Sequence, residues 1–93
     1  MTLLAQWDKI TVRIWSYHHN PPHIHVMQAE HVARIVIGTG AYIDGHLPTK
    51  SYRRIQKWLK DCQEEIVARW ELVYRGEGFS RIGENCQEEG AES

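Results

Sequence analysis

Between Ile10 and Tyr17 the chain alternates strictly. Ile10, Val12 and Ile14 fall on one side, and Thr11, Arg13, Trp15 and Tyr17 on the other. A period of two marks a half-buried strand. The pattern resumes over residues 23–28, where Ile24 and Val26 take the core side and His23, His25 and Met27 face away. A third run, 32–37, sets Ala33, Ile35 and Ile37 against Val32, Arg34 and Val36, and Gly38-Thr39-Gly40 breaks it. Ala41-Tyr42-Ile43 is a short fourth strand closed by Asp44-Gly45, a strong turn dipeptide. Ala29-Glu30-His31 is a turn that no glycine marks. Residues 1–9 read as a lead-in whose Leu3, Leu4 and Trp7 cover one edge of the core.

After Leu47-Pro48 the period changes. Tyr52, Ile55, Leu59, Cys62, Ile66, Trp70 and Val73 recur at steps of three and four, and Trp58, Val67 and Tyr74 widen the stripe. One helix from about residue 50 to 75 fits, and so do two consecutive helices broken near 61–63. Thr49 is the expected N-cap and Arg75-Gly76 the stop. The expected fold is α+β: a three- to four-stranded antiparallel meander packed on one face by a C-terminal helical layer. Residues 1–76 form the compact domain, and 77–93, with few apolar anchors, an acidic and largely disordered tail.

One helical layer leaves the other face of the sheet uncovered. Parity places Arg13, Trp15, Tyr17, His23, His25 and Arg34 there, a mixture of aromatic, imidazole and guanidinium groups suited to RNA or to a protein partner. Composition adds little to this. At 93 residues the chain is one small domain, and its net charge of −1 hides an asymmetry. Residues 1–75 carry ten Lys/Arg against seven Asp/Glu, whereas 76–93 carry one against five. That basic excess is too weak to imply nucleic acid by itself. With no membrane-length apolar run and no secretory signal pattern, a cytoplasmic protein is expected. Cys62 and Cys86 have no framework or metal-ligand spacing and are expected as free thiols.

The candidate chemistry centres on residues 17–26, which hold four of the six histidines. Pro21-Pro22 makes a rigid corner, with Asn20 suited to capping the turn. His23 and His25 follow on one face of a strand. As a catalytic pair, one imidazole would deprotonate an RNA 2′-hydroxyl while the other protonates the leaving oxygen, with Arg13 or Arg34 holding the phosphate. Alternatively these histidines only hydrogen-bond the corner and fix it. A further reading, zinc held by His23, His25 and either His18 or His19, lacks an acidic residue at a fitting spacing, and no cofactor is expected. On the helix, Lys50, Arg53, Lys57 and Lys60 form a basic stripe, with Arg54 beside it, for phosphate contact, or else a solvated face. No phosphate-binding glycine loop, metalloprotease pattern or nucleophile elbow is present in the sequence.

At His19-Asn20-Pro21-Pro22-His23-Ile24-His25-Val26 the sequence resembles the bacterial domain of unknown function 4160 family. The similarity continues through Gly45-His46-Leu47-Pro48 and Trp70-Glu71-Leu72, so it spans roughly residues 8–75. The resemblance implies a two-gene module of the toxin–antitoxin type, with this chain as the toxin-like member and a small antitoxin-like protein as its partner. RNA is the implied target, by analogy with small RNA-cleaving toxins of the double-stranded-RNA-binding fold. A non-enzymatic module docking a partner through its open sheet face is the other reading. A homodimer is compatible with both, and a membrane role with neither.

Overall fold

A computed structural model describes residues 2–15 and 21–89. Tyr17, His18, His19 and Asn20 lie outside the described residues, and with them the zinc reading and the first half of the corner. Five strands, β1 (Thr2–Trp7), β2 (Ile10–Trp15), β3 (His23–Gln28), β4 (His31–Val36) and β5 (Tyr42–Gly45), form one antiparallel sheet in sequence order. Two helices follow, α1 (Thr49–Asp61) and α2 (Gln63–Tyr74), then a small hairpin of β6 (Arg81–Ile82) and β7 (Glu88–Glu89).

The fold is α+β, with one strand more than expected. The lead-in is β1. A bulge between Leu3 and Ala5 turns both Leu4 and Ala5 into the core and so hides the alternation by which strands are recognised. The β3–β4 turn is a two-residue loop, Ala29-Glu30, with Ala29 itself in the left-handed conformation (φ 55°) that glycine normally supplies. Val12, Ile14, Ile24, Val26 and Ile35 are wholly buried on the face where Ile55, Leu59 and Ile66 pack. Core parity is therefore as the alternation predicts.

The helical layer is two helices. Cys62 leaves helical geometry (φ −111°, ψ 25°), and the side-chain amide of Gln63 donates to the Leu59 carbonyl at 2.9 Å and to that of Ile37 at 3.0 Å. Thr49 opens the helix rather than capping it: Pro48 holds the N-cap position, with no side-chain cap bond. Gly76, at φ 76°, ends α2 as expected. Its N–H donates to Val73 and that of Glu77 to Leu72, so two otherwise orphaned carbonyls are satisfied.

Residues 77–89 differ from the tail expected there. Ile82 is wholly buried, the Trp58 indole donates to the Gly83 carbonyl at 3.0 Å, and the Arg69 guanidinium donates to that of Ser80 at 2.7 Å. The cysteines are not free thiols either: Cys62 and Cys86 form a disulfide with Cα atoms 5.3 Å apart. Because 24 positions separate them, only the return of the hairpin onto the α1–α2 junction brings them together.

Candidate functional site

Cross-strand register builds the open face row by row. Arg13 on β2 lies opposite His25 on β3, His25 opposite Arg34 on β4, and Arg34 opposite Asp44 on β5. Side chains directly opposite in antiparallel strands stand about 4.5–5.5 Å apart at Cβ, so these four make one continuous polar row. On one side of it Trp15, His23 and Val36 align, and on the other Thr11, Met27 and Val32. The Trp15 and His25 rings are 4.9 Å apart at their centroids, and those of His23 and His25 5.5 Å.

The groups in this cluster are unequal. His23 is 1% exposed, and its Nδ1 faces the Pro21 carbonyl at 3.1 Å. A carbonyl can only accept, so Nδ1 carries the proton and His23 ties its strand to the proline corner. Ile37, just past the end of β4, donates its N–H to the Pro22 carbonyl at 2.9 Å and pins the same corner. His25 is half-buried. Burial, then the neighbouring His23 and Arg34, pull its pKa below the ordinary 6.5 against an opposing pull from Asp44. The Nε2 atoms of both histidines are buried without a hydrogen-bond partner among the described residues.

Arg34 is committed to Asp44. Its Nε lies 2.9 and 3.0 Å from the two carboxylate oxygens and its Nη2 bonds the second, a bidentate clamp that holds the Asp44 carboxyl below its usual range. Arg13 makes no ion pair among the described residues and rests its guanidinium on the Met27 sulfur at 3.6 Å. Met27 and Val32, cross-strand neighbours, are 39% and 48% exposed, and Ile43 on β5 is also exposed.

Over residues 10–71 the chain matches the model of a family described as "Domain of unknown function (DUF4160)". The chain belongs to that family. No curated protein and no solved structure matches it. The matched span takes in β2 to β5, α1 and most of α2, so the polar row is part of the DUF4160 domain, while β1 and the β6–β7 hairpin flank it.

Of the residues singled out in the sequence, Arg13, Trp15, His23, His25 and Arg34 do come together, and Tyr17 lies outside the described residues. The basic stripe does not join them. Lys50, Arg53, Arg54 and Lys57 sit on α1, behind the other face of the sheet, so a ligand on His25 cannot also reach them. Two of the four are already paired. Arg54 bonds Glu84 and, at 2.7 Å, Asp8, and its guanidinium lies 5.9 Å from the Trp7 ring centroid; Lys57 bonds Asp61 at 2.6 Å.

Asp44 is the site residue that sequence reasoning missed. The Asp-Gly pair looks like a turn, yet it ends β5. Gly45 is needed for close approach: at φ 81°, a Cβ there would come within 2.1 Å of the Val32 carbonyl oxygen. A bulge between Arg34 and Ile35 sets Asp44 opposite Arg34, a placement that strict alternation cannot supply. Among the described residues no three His, Cys, Asp or Glu side chains stand together as metal ligands, and no helix is long and apolar enough to cross a membrane.

Proposed function

We propose that this protein is one member of a two-gene module of the toxin–antitoxin type and works as a binding module, docking its small protein partner on the open face of the sheet. The observation that carries the reading is the make-up of that face. Exposed Met27 and Val32 border a row in which Arg34 is neutralised by Asp44, leaving Arg13 as the cation without an ion pair among the described residues. RNA recognition calls for several unpaired cations beside stacking aromatics, whereas protein interfaces favour Met, Arg and aromatic side chains with few net charges. The module itself rests on the family resemblance, and the assignment to the cytoplasm on the sequence pattern alone.

The test is co-expression with the gene product encoded next to this chain. Stable co-purification is expected, with hydrogen exchange slowed in β2, β3 and β4 of the complex. A chain that purifies alone, and whose exchange the neighbour does not change, would remove the proposal.

One observation favours a second reading, in which His25 works on RNA. Its depressed pKa keeps the ring unprotonated at neutral pH, as a general base must be. His23 suits the acid role poorly, since it is buried and bonded to Pro21. Under this reading, inducing the chain alone arrests growth, and a folded His23→Ala/His25→Ala double variant does not. Persistent arrest in that variant would exclude it.

A further inference from the structure

The C-terminal hairpin has no part in the open face, and its attachment is unusual. Five anchors hold residues 80–89: the Arg69–Ser80 hydrogen bond, the buried Ile82 side chain, the Trp58–Gly83 hydrogen bond, the Arg54–Glu84 ion pair and the Cys62–Cys86 disulfide. Inside the hairpin, Gly83 donates to Gln87 at 2.8 Å and Cys86 to Gly83 at 3.1 Å. Cys86 itself sits at φ 69°, in the left-handed region that a side chain disfavours. Two paired residues per strand cannot hold a hairpin closed unaided. The segment therefore depends on its anchors, and one of these is chemically reversible.

Cys62 is wholly buried at the junction of α1 and α2, while Cys86 is only partly buried. The hairpin lies against β1 and α1, where Trp7 and Trp58 pack with ring centroids 5.0 Å apart. Glu84 brings negative charge onto Arg54 and lies near enough to Lys57 to favour its protonated form. An acidic flap is thus fastened over a basic and aromatic part of the helical layer.

We infer that the Cys62–Cys86 disulfide is a redox latch, which a dithiol reductant opens to release the hairpin from α1 and β1. A thiolate of the reductant attacks Sγ of Cys86, the more accessible sulfur. The Cys62–Cys86 bond breaks as a mixed disulfide forms, and the Cys62 sulfur leaves as a thiolate that takes up a proton. The second thiol of the reductant then displaces Cys86, which is protonated in turn. Both cysteines end as thiols, and the reductant leaves as its own disulfide. In a reducing compartment the flap is open, and under oxidation it closes.

The test is hydrogen exchange on the full chain, oxidised and after dithiothreitol, with thiol labelling and mass spectrometry to verify the redox state. On reduction the amides of residues 81–89 exchange faster by on the order of tenfold or more through a local opening, while those of β2–β4 remain the slowest to exchange in the chain. Glu84→Gln, which weakens a second anchor, accelerates that exchange further in the reduced chain and leaves the oxidised chain unchanged. Equal protection of 81–89 in both redox states would overturn the latch. So would free thiols at both positions after exposure to an oxidised glutathione buffer, or a loss of protection in β2–β4 on reduction that brings them level with 81–89.

Discussion

The two faces of the five-stranded sheet share one backbone and differ in what decides their residues. On the inner face Val12, Ile14, Ile24, Val26 and Ile35 have no exposed surface and meet the two helices and Ile82. On the outer face, one residue away along the same strands, stand Arg13, His25, Arg34 and Met27. Burial explains the inner face completely. It does not explain the outer one, where Arg34 and Asp44 clamp each other, Arg13 leans on Met27, and Val32 is left to water. The comparison teaches that, His23 at the proline corner apart, burial does not choose the residues of the outer face, as the proposed docking role requires.

The sharpest way to break this contrast is a pair of neighbours. Ile24→Ala on the inner face is expected to cost about 2–5 kcal/mol, because its cavity lies in a core that relaxes only partly. His25→Ala on the outer face should stay within about 1 kcal/mol of the parent. Urea titrations of both check this, and comparable losses would mean that the outer face is also structural. Next in size is reduction of Cys62–Cys86. Its closed loop, set by a sequence separation of 24, corresponds in the chain-entropy treatment to about 3 kcal/mol of stability lost on adding dithiothreitol. An unchanged denaturation midpoint would show that the hairpin adds nothing to the inner face.

Gly45→Ala probes the outer row through its backbone. Positive φ and the Val32 carbonyl leave no room for a Cβ, so about 2 kcal/mol should be lost, with β5 and hence Asp44 shifted off Arg34. Thermal melts and the amide chemical shifts of β4 report the two effects separately. The smallest expected effect is on pH dependence. Well above pH 6.5 His25 is neutral in folded and unfolded chains alike. As pH falls below 6.5 the unfolded chain takes its proton first, because the folded pKa is depressed, and stability declines until the folded pKa is passed. The parent should therefore lose more stability than His25→Ala over that interval, and parallel profiles would contradict the assigned environment.

How far the sequence reveals this follows from where its local rules hold. Alternation in β2, β3 and β4 is unbroken, so both faces and the gathering of Arg13, His25 and Arg34 could be read directly. Each miss has a physical source. Leu4 and Ala5 both point inward at a bulge, which conceals β1. A second bulge, beside Ile35, turns an apparent Asp-Gly turn into the partner of Arg34. The burial of His23 depends on tertiary packing that residue type does not encode. Helical spacing places Arg54 on a polar stripe but says nothing of Asp8 and Glu84, which reach it from distant parts of the chain. The disulfide joins cysteines that share no spacing motif, one of them in a segment whose composition suggested disorder.

The claim that the outer face exists to be met is tested most directly by calorimetric titration of the neighbouring gene product into three folded variants. Val32→Glu and Arg13→Glu alter the outer face, and Arg53→Glu alters the exposed side of α1. Outer-face variants are expected to weaken binding by on the order of 30-fold or more, as disruption of an interface centre does, while Arg53→Glu binds like the parent. Binding that survives Val32→Glu and Arg13→Glu but is lost in Arg53→Glu would contradict the account and move the interface to the helices.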